Sequence, residues 1–193
     1  AIASQRLAAL AQRYPDWAGV PLEVVMEAAR ALVQRDQPGA DDLARRMLEV
    51  SLLEIRGQAE AAAAADEPYE PPAERDAARS LLARLYLVSA DRADDPGRSE
   101  ALRARAVELA ALLIDREEAH LTGLLAPIAT LVLSAPGEGL DQPDRLALLS
   151  RAIERLPEHG SVDRWRLGRA ALLLRGGSSV RRALDDAREA MQS

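Results

Sequence analysis

The chain has 193 residues and is 48% hydrophobic, enough for one ordinary core or a short array of repeats. Cysteine and phenylalanine are absent, aromatics reach only 3% and all 25 basic residues are arginine. Disulfides, a thiolate nucleophile and cysteine-held metal are therefore excluded, and the core must be Leu, Ala, Val and Ile, which suits close helix packing, while a net charge of −6 argues against a dedicated nucleic-acid binder.

In chain order, the pattern predicts a first helix over Ile2–Arg13, ended by Tyr14-Pro15-Asp16 because the residue before proline avoids the α region. Pro21 suits the first turn of a second helix, in which Leu22, Val25, Met26, Ala29, Leu32 and Val33 recur on one face. Gln37-Pro38-Gly39 breaks the chain, and Asp41 or Asp42 can cap a third helix that carries Leu43, Met47, Val50 and Leu53 and runs as far as Ala65. Residues 66–72, with Pro68, Pro71 and Pro72, read as a linker between an N-terminal helical unit, 1–66, and a repeat region, 73–193, or as a long loop inside one superhelix.

Three helix pairs follow, at about 73–90 and 98–114, 117–134 and 142–156, and 161–175 and 178–192. Polar loops separate them: Asp91 to Gly97, Pro136-Gly137-Glu138-Gly139 and Gly176-Gly177. Leu102, Ala106, Leu109, Ala110 and Leu113 form one stripe. Asp141 or Gln142 precedes Pro143 at one helix start, and Ser178 or Ser179 is the N-cap of the last helix. Pro127 falls inside the most apolar run, Leu121 to Leu133, and is expected to kink its helix. At 13 residues that run is too short to span a membrane and reads as core.

The pairs share two signatures. Leu82-Ala83, Leu125-Ala126 and Leu167-Gly168 are spaced 43 and 42 residues apart. Each is followed by a second motif: Arg105-Ala106-Val107-Glu108, Arg151-Ala152-Ile153-Glu154 and Arg182-Ala183-Leu184-Asp185. Two short helices in a period of about 40 residues predict an all-α fold, an α-solenoid of antiparallel helix pairs with about nine helices.

Leu167-Gly168 followed by Ala183, Ala187 and Ala190 resembles the tetratricopeptide (TPR) pattern, of the divergent kind found in large bacterial proteins with a caspase-like CHAT peptidase domain. The resemblance covers about residues 73–192. It implies a right-handed superhelix that serves as a recognition or scaffold module and carries no catalysis. In the TPR register Arg84 and Arg169 lie on the concave faces of their helices with Trp165 one turn before the latter, a composition prone to interfaces. The alternative for Trp165 is core packing, with both arginines snorkelling.

Chemistry-bearing motifs are sparse. Glu117-x-x-His120 has the spacing of a di-iron ligand pair, but those sites need a second copy, and His159 lies in no such motif. There is no Gly-x-Ser-x-Gly elbow and no phosphate-binding Gly-Lys loop. Neither enzyme nor cofactor is expected. Ala1-Ile2-Ala3-Ser4 lacks the makings of a signal peptide, so the expectation is a cytoplasmic protein, and without an initial Met a piece of a longer bacterial one. Arginines outnumber acids over 143–193 and acids outnumber arginines before it, so a basic end could face an acidic partner. The expected function is protein–protein or intramolecular domain–domain interaction, without membrane or nucleic acid. The alternative is the ligand-binding effector domain of a bacterial transcription regulator.

Overall fold

Eight helices and no strand form the regular structure of the described residues, which in this computed structural model are 17, 19–34, 39–114, 123–134, 141–176 and 179–192. The helices are α1 (Leu22–Val33), α2 (Ala40–Ala64), α3 (Arg75–Asp91), α4 (Pro96–Ala111), α5 (Leu125–Ser134), α6 (Gln142–Arg155), α7 (Val162–Arg175) and α8 (Val180–Gln192). The all-α expectation thus holds for these residues. The first expected helix, Ile2–Arg13, lies outside them.

Local chemistry sets the helix starts. Asp141 accepts from the Asp144 amide at 3.0 Å, with Pro143 behind it, and Ser179 accepts from the Arg182 amide at 3.3 Å. Asp95 accepts from the amides of Gly97 and Arg98, so Pro96 and Gly97 open α4 instead of closing the loop before it. Proline fits the first helical position because that amide has no partner in any case. The cap expected at Asp41 or Asp42 is absent. Gly39 precedes α2 with φ +81°, and both aspartates sit in the first turn, where they favour the helix dipole.

Pro127 does not kink its helix. α5 begins at Leu125, and the first intrahelical bond runs from the Ile128 amide to the Leu124 carbonyl at 3.0 Å. Pro127 therefore occupies the first turn, where its missing N–H forfeits no bond.

The internal contacts of the chain form two compact units, one ending at Leu102 and the other beginning at Arg103, within α4. The first unit is built on α2, which packs against both α1 and α3. Asp41 pairs with Arg92 at 2.5 Å, and Arg45 lies 6.0 Å from the Tyr86 ring, so α2 and α3 run antiparallel. Burial opposes the Arg45 charge, but Glu49 and then Asp42 outweigh it and hold its guanidinium above the ordinary arginine value. The buried face of α2 is Ala40, Ala44, Met47, Leu48, Ser51 and Ile55, which leaves Val50 and Leu53 exposed. Residues 66–72 connect α2 to α3 within this unit, and the Tyr69 hydroxyl donates to the Ile55 carbonyl at 3.2 Å.

In the second unit each of α5 to α8 packs on the next, and α5 also touches α7. Gln142 Nε2 donates to the Leu172 carbonyl and Arg169 Nη1 to Ser150 Oγ, which makes α6 and α7 antiparallel. Thr130 meets Trp165 and Leu133 meets Gly168, so α5 and α7 run parallel, with 35 residues between Thr130 and Trp165. The core comprises Leu124, Ile128 and Ala129 before and along α5, Leu148, Leu149 and Ala152 on α6, and Trp165 and Leu173 on α7.

The two repeat signatures fare differently. Ala106, Ala152 and Ala183 of the second motif are all buried. Of the leucines in the first, Leu82 and Leu125 are buried and Leu167 is half exposed. The glycine in that last step has its own reason. A Cβ at Gly168 would lie 2.0 Å from Leu133 Cδ2, so only glycine permits this approach of α7 to α5 without displacement of Leu133.

Candidate functional site

The residues singled out from the sequence are placed as follows. Arg84 is exposed on α3 in the first unit. Trp165 and Arg169 are on α7 in the second. Trp165 exposes 0% of its surface, and Arg169 exposes 8%. The expectation that both lie on an open concave face is thereby corrected: the inner side of α7 faces α5, α6 and α8. Trp165 donates from Nε1 to Thr130 Oγ1 at 3.4 Å, and the His159 ring stacks on it at 4.7 Å with a 17° interplanar angle.

Arg169 is held by charge. Its Nε donates to Asp186 Oδ2 at 2.8 Å, its Nη2 to Asp186 Oδ1 at 2.5 Å and its Nη1 to Ser150 Oγ at 3.1 Å. Three hydrogen bonds leave little of the guanidinium unmatched, and the planar fork fits the carboxylate bidentately. Arg166 pairs with Asp163 at 3.1 Å and lies 3.2 Å from Glu189. These pairs lock α7 and α8 as an antiparallel hairpin, since 166 faces 189 and 169 faces 186. Sequence reasoning singled out Arg169 but missed Asp186, its buried partner. An arginine and an aspartate 17 residues apart, one per helix, are recognisable as a pair only once the hairpin is drawn.

The opposite side of this hairpin is apolar and open. Leu167, Leu174, Val180 and Leu184 each expose half or more of their surface, and Met191 exposes 76%. On α7, Leu167, Ala171 and Leu174 lie at helical spacing; on α8, Val180, Leu184 and Met191 do. The ion pairs fix how each helix is rotated. At about 100° per residue, the α7 stripe follows Ala170 clockwise, seen from the start of α7, and the α8 stripe follows Ala187. Because the helices are antiparallel, these senses are opposite in space, and the two stripes meet on one face. Exposed Arg164 and Arg175 come next beyond the α7 stripe, and exposed Arg181 and Arg188 beyond the α8 stripe.

No protein-family model matches this chain, and no curated protein or solved structure matches it either.

Other features yield less. In the first unit a cleft of about 310 Å³ is lined by Asp41, Asp42, Ser89, Arg92, Asp95 and Arg98 among others. It is open, polar and crossed by the Arg92–Asp41 pair, unlike the mostly apolar pockets that hold small molecules. No cluster of three or more metal-ligating side chains occurs among the described residues, and Glu117 and His120 lie outside them. No described helix is long and apolar enough to cross a membrane.

Proposed function

We propose that this chain is a non-enzymatic helical-repeat module, an α-solenoid of stacked helix pairs, that binds a protein or a neighbouring domain of its own chain. The observation that carries the reading is the continuous apolar face of the α7–α8 hairpin. Scattered exposed leucines are ordinary, but a contiguous apolar patch rimmed by charge marks an interaction site. The solenoid reading draws support from the antiparallel order of α6, α7 and α8. It draws more from the parallel contact of α5 with α7 at 35 residues, near the ~34-residue period of tetratricopeptide repeats. In this reading the module is a cytoplasmic scaffold of a bacterial protein, and Trp165 and Arg169 shape the hairpin from within.

The test is a peptide-library selection on the parent chain and on the Leu174→Glu, Leu184→Glu variant. Both leucines are more than half exposed, so the variant should keep its helical circular dichroism and melting temperature. Sequences that enrich on the parent and lose at least about tenfold in affinity on the variant, the cost of a single hot-spot truncation, support the reading. Enriched binders indifferent to the variant, or no enrichment at all, refute it.

A further inference from the structure

The charge around the apolar face says more about what covers it. From the phase of the helices and the exposed positions, we infer that the α7–α8 face docks an amphipathic helix whose apolar stripe is flanked on both sides by Asp or Glu. This inference rests on the interaction-module reading above.

The floor is the apolar face shared by two antiparallel helices, with Leu167 and Leu174 on α7 and Leu184 and Met191 on α8. Two helices side by side offer a groove that a third helix fills with residues at i, i+3, i+4 and i+7. The borders are Arg164 and Arg175 along α7 and Arg181 and Arg188 along α8. Acids near the hairpin are engaged elsewhere: Asp163 and Glu189 are tied to Arg166, and Asp186 to Arg169. The exposed Asp185 lies round α8 beyond Arg181, away from the apolar face. An incoming helix therefore meets leucine and methionine at its centre and guanidinium forks at both margins. Carboxylates on those margins match the forks in geometry and sign, whereas lysine or arginine there is repelled.

The same borders argue against a second copy of the chain as the occupant. A second copy bound through this face under twofold symmetry would set arginine margin against arginine margin.

The probe is a pair of fluorescein-labelled synthetic amphipathic helices with one Leu/Ala stripe, flanked in one by Glu and in the other by Lys. They are titrated against the full chain by anisotropy at low and high salt. The Glu-flanked helix should bind at least tenfold tighter, lose affinity with salt, and lose about tenfold more on Arg181→Glu or Arg175→Glu, but not on Arg84→Glu in the first unit. Equal binding of both peptides, abolished by Leu174→Glu, Leu184→Glu, overturns this inference and leaves the interaction-module reading standing. If neither peptide binds, or if Arg84→Glu weakens binding as much as Arg181→Glu, the docking face is refuted. A self-association in sedimentation that the double leucine variant removes assigns the face to a second copy. Co-sedimentation with phosphatidylserine vesicles, lost in the same variant, assigns it to a membrane. Either result overturns the proposal.

Discussion

Removing one partner of the Arg169–Asp186 pair should be the most damaging polar substitution in the second unit. The side chains are 9% and 5% exposed, so water cannot screen a charge left alone. At an effective dielectric of about 20, opposite unit charges 4 Å apart attract by about 4 kcal/mol, and desolvating the two ions costs an amount of the same order. The pair thus contributes little net, while breaking it strands a buried charge. Asp186→Leu should cost about 3–5 kcal/mol. Arg169→Met should cost about as much, with a further ~1 kcal/mol because Ser150 Oγ loses its donor. The double variant Arg169→Met, Asp186→Leu should lie within about 1 kcal/mol of the parent, since an apolar pair of similar volume often replaces a buried ion pair without loss. The assay is urea unfolding followed by Trp165 emission in a Trp17→Phe background. Trp17 Nε1 has no hydrogen-bond partner, so that change strands no polar group. Single costs below 1 kcal/mol, or costs that simply add in the double variant, would refute the account of α7 and α8 as locked by a desolvated pair.

Three further outcomes follow from the packing. Gly168→Ala should destabilise by about 1–3 kcal/mol through the clash with Leu133, despite the ~1 kcal/mol that alanine gains in helix propensity, and adding Leu133→Ala should recover part of the loss in the same denaturation assay. Leu125→Ala should cost about 2–5 kcal/mol as a buried leucine at the start of α5, read as a lowered denaturation midpoint. Ser179→Ala should cost about 0.5–2 kcal/mol and show in hydrogen exchange as faster loss of the Arg182 amide, with protection in α3 unchanged.

The sequence by itself was enough to predict an all-helical chain. The reason is local: Leu, Ala and Val recur at helical spacing, and Pro, Gly and Asp punctuate them at positions fixed by backbone sterics. The helix starts at Asp141 or Gln142 and at Ser178 or Ser179 were legible for the same reason, because a cap is largely local, yet the same reasoning placed a cap at Asp41 or Asp42 where Gly39 precedes the helix instead. Where a second helix decides, sequence reasoning failed. Val50 and Leu53 lie on a periodic face, but the partners of α2 select the neighbouring face through Leu48 and Ile55. The step Leu167-Gly168 was aligned with Leu125-Ala126, 42 residues earlier, yet its glycine packs on Leu133. Leu133 lies near the position two helical turns past Leu125, where periodicity alone cannot separate one register from the other. Trp165 and Arg169 share a helix face with the core rather than the solvent, and no pattern within α7 reveals it, because burial there depends on Thr130 and Ser150 from α5 and α6 and on Asp186 from α8. The apolar stripes of α7 and α8 are each visible in the sequence. That they meet on one arginine-bordered face follows only from the antiparallel hairpin, whose rotation the two ion pairs set.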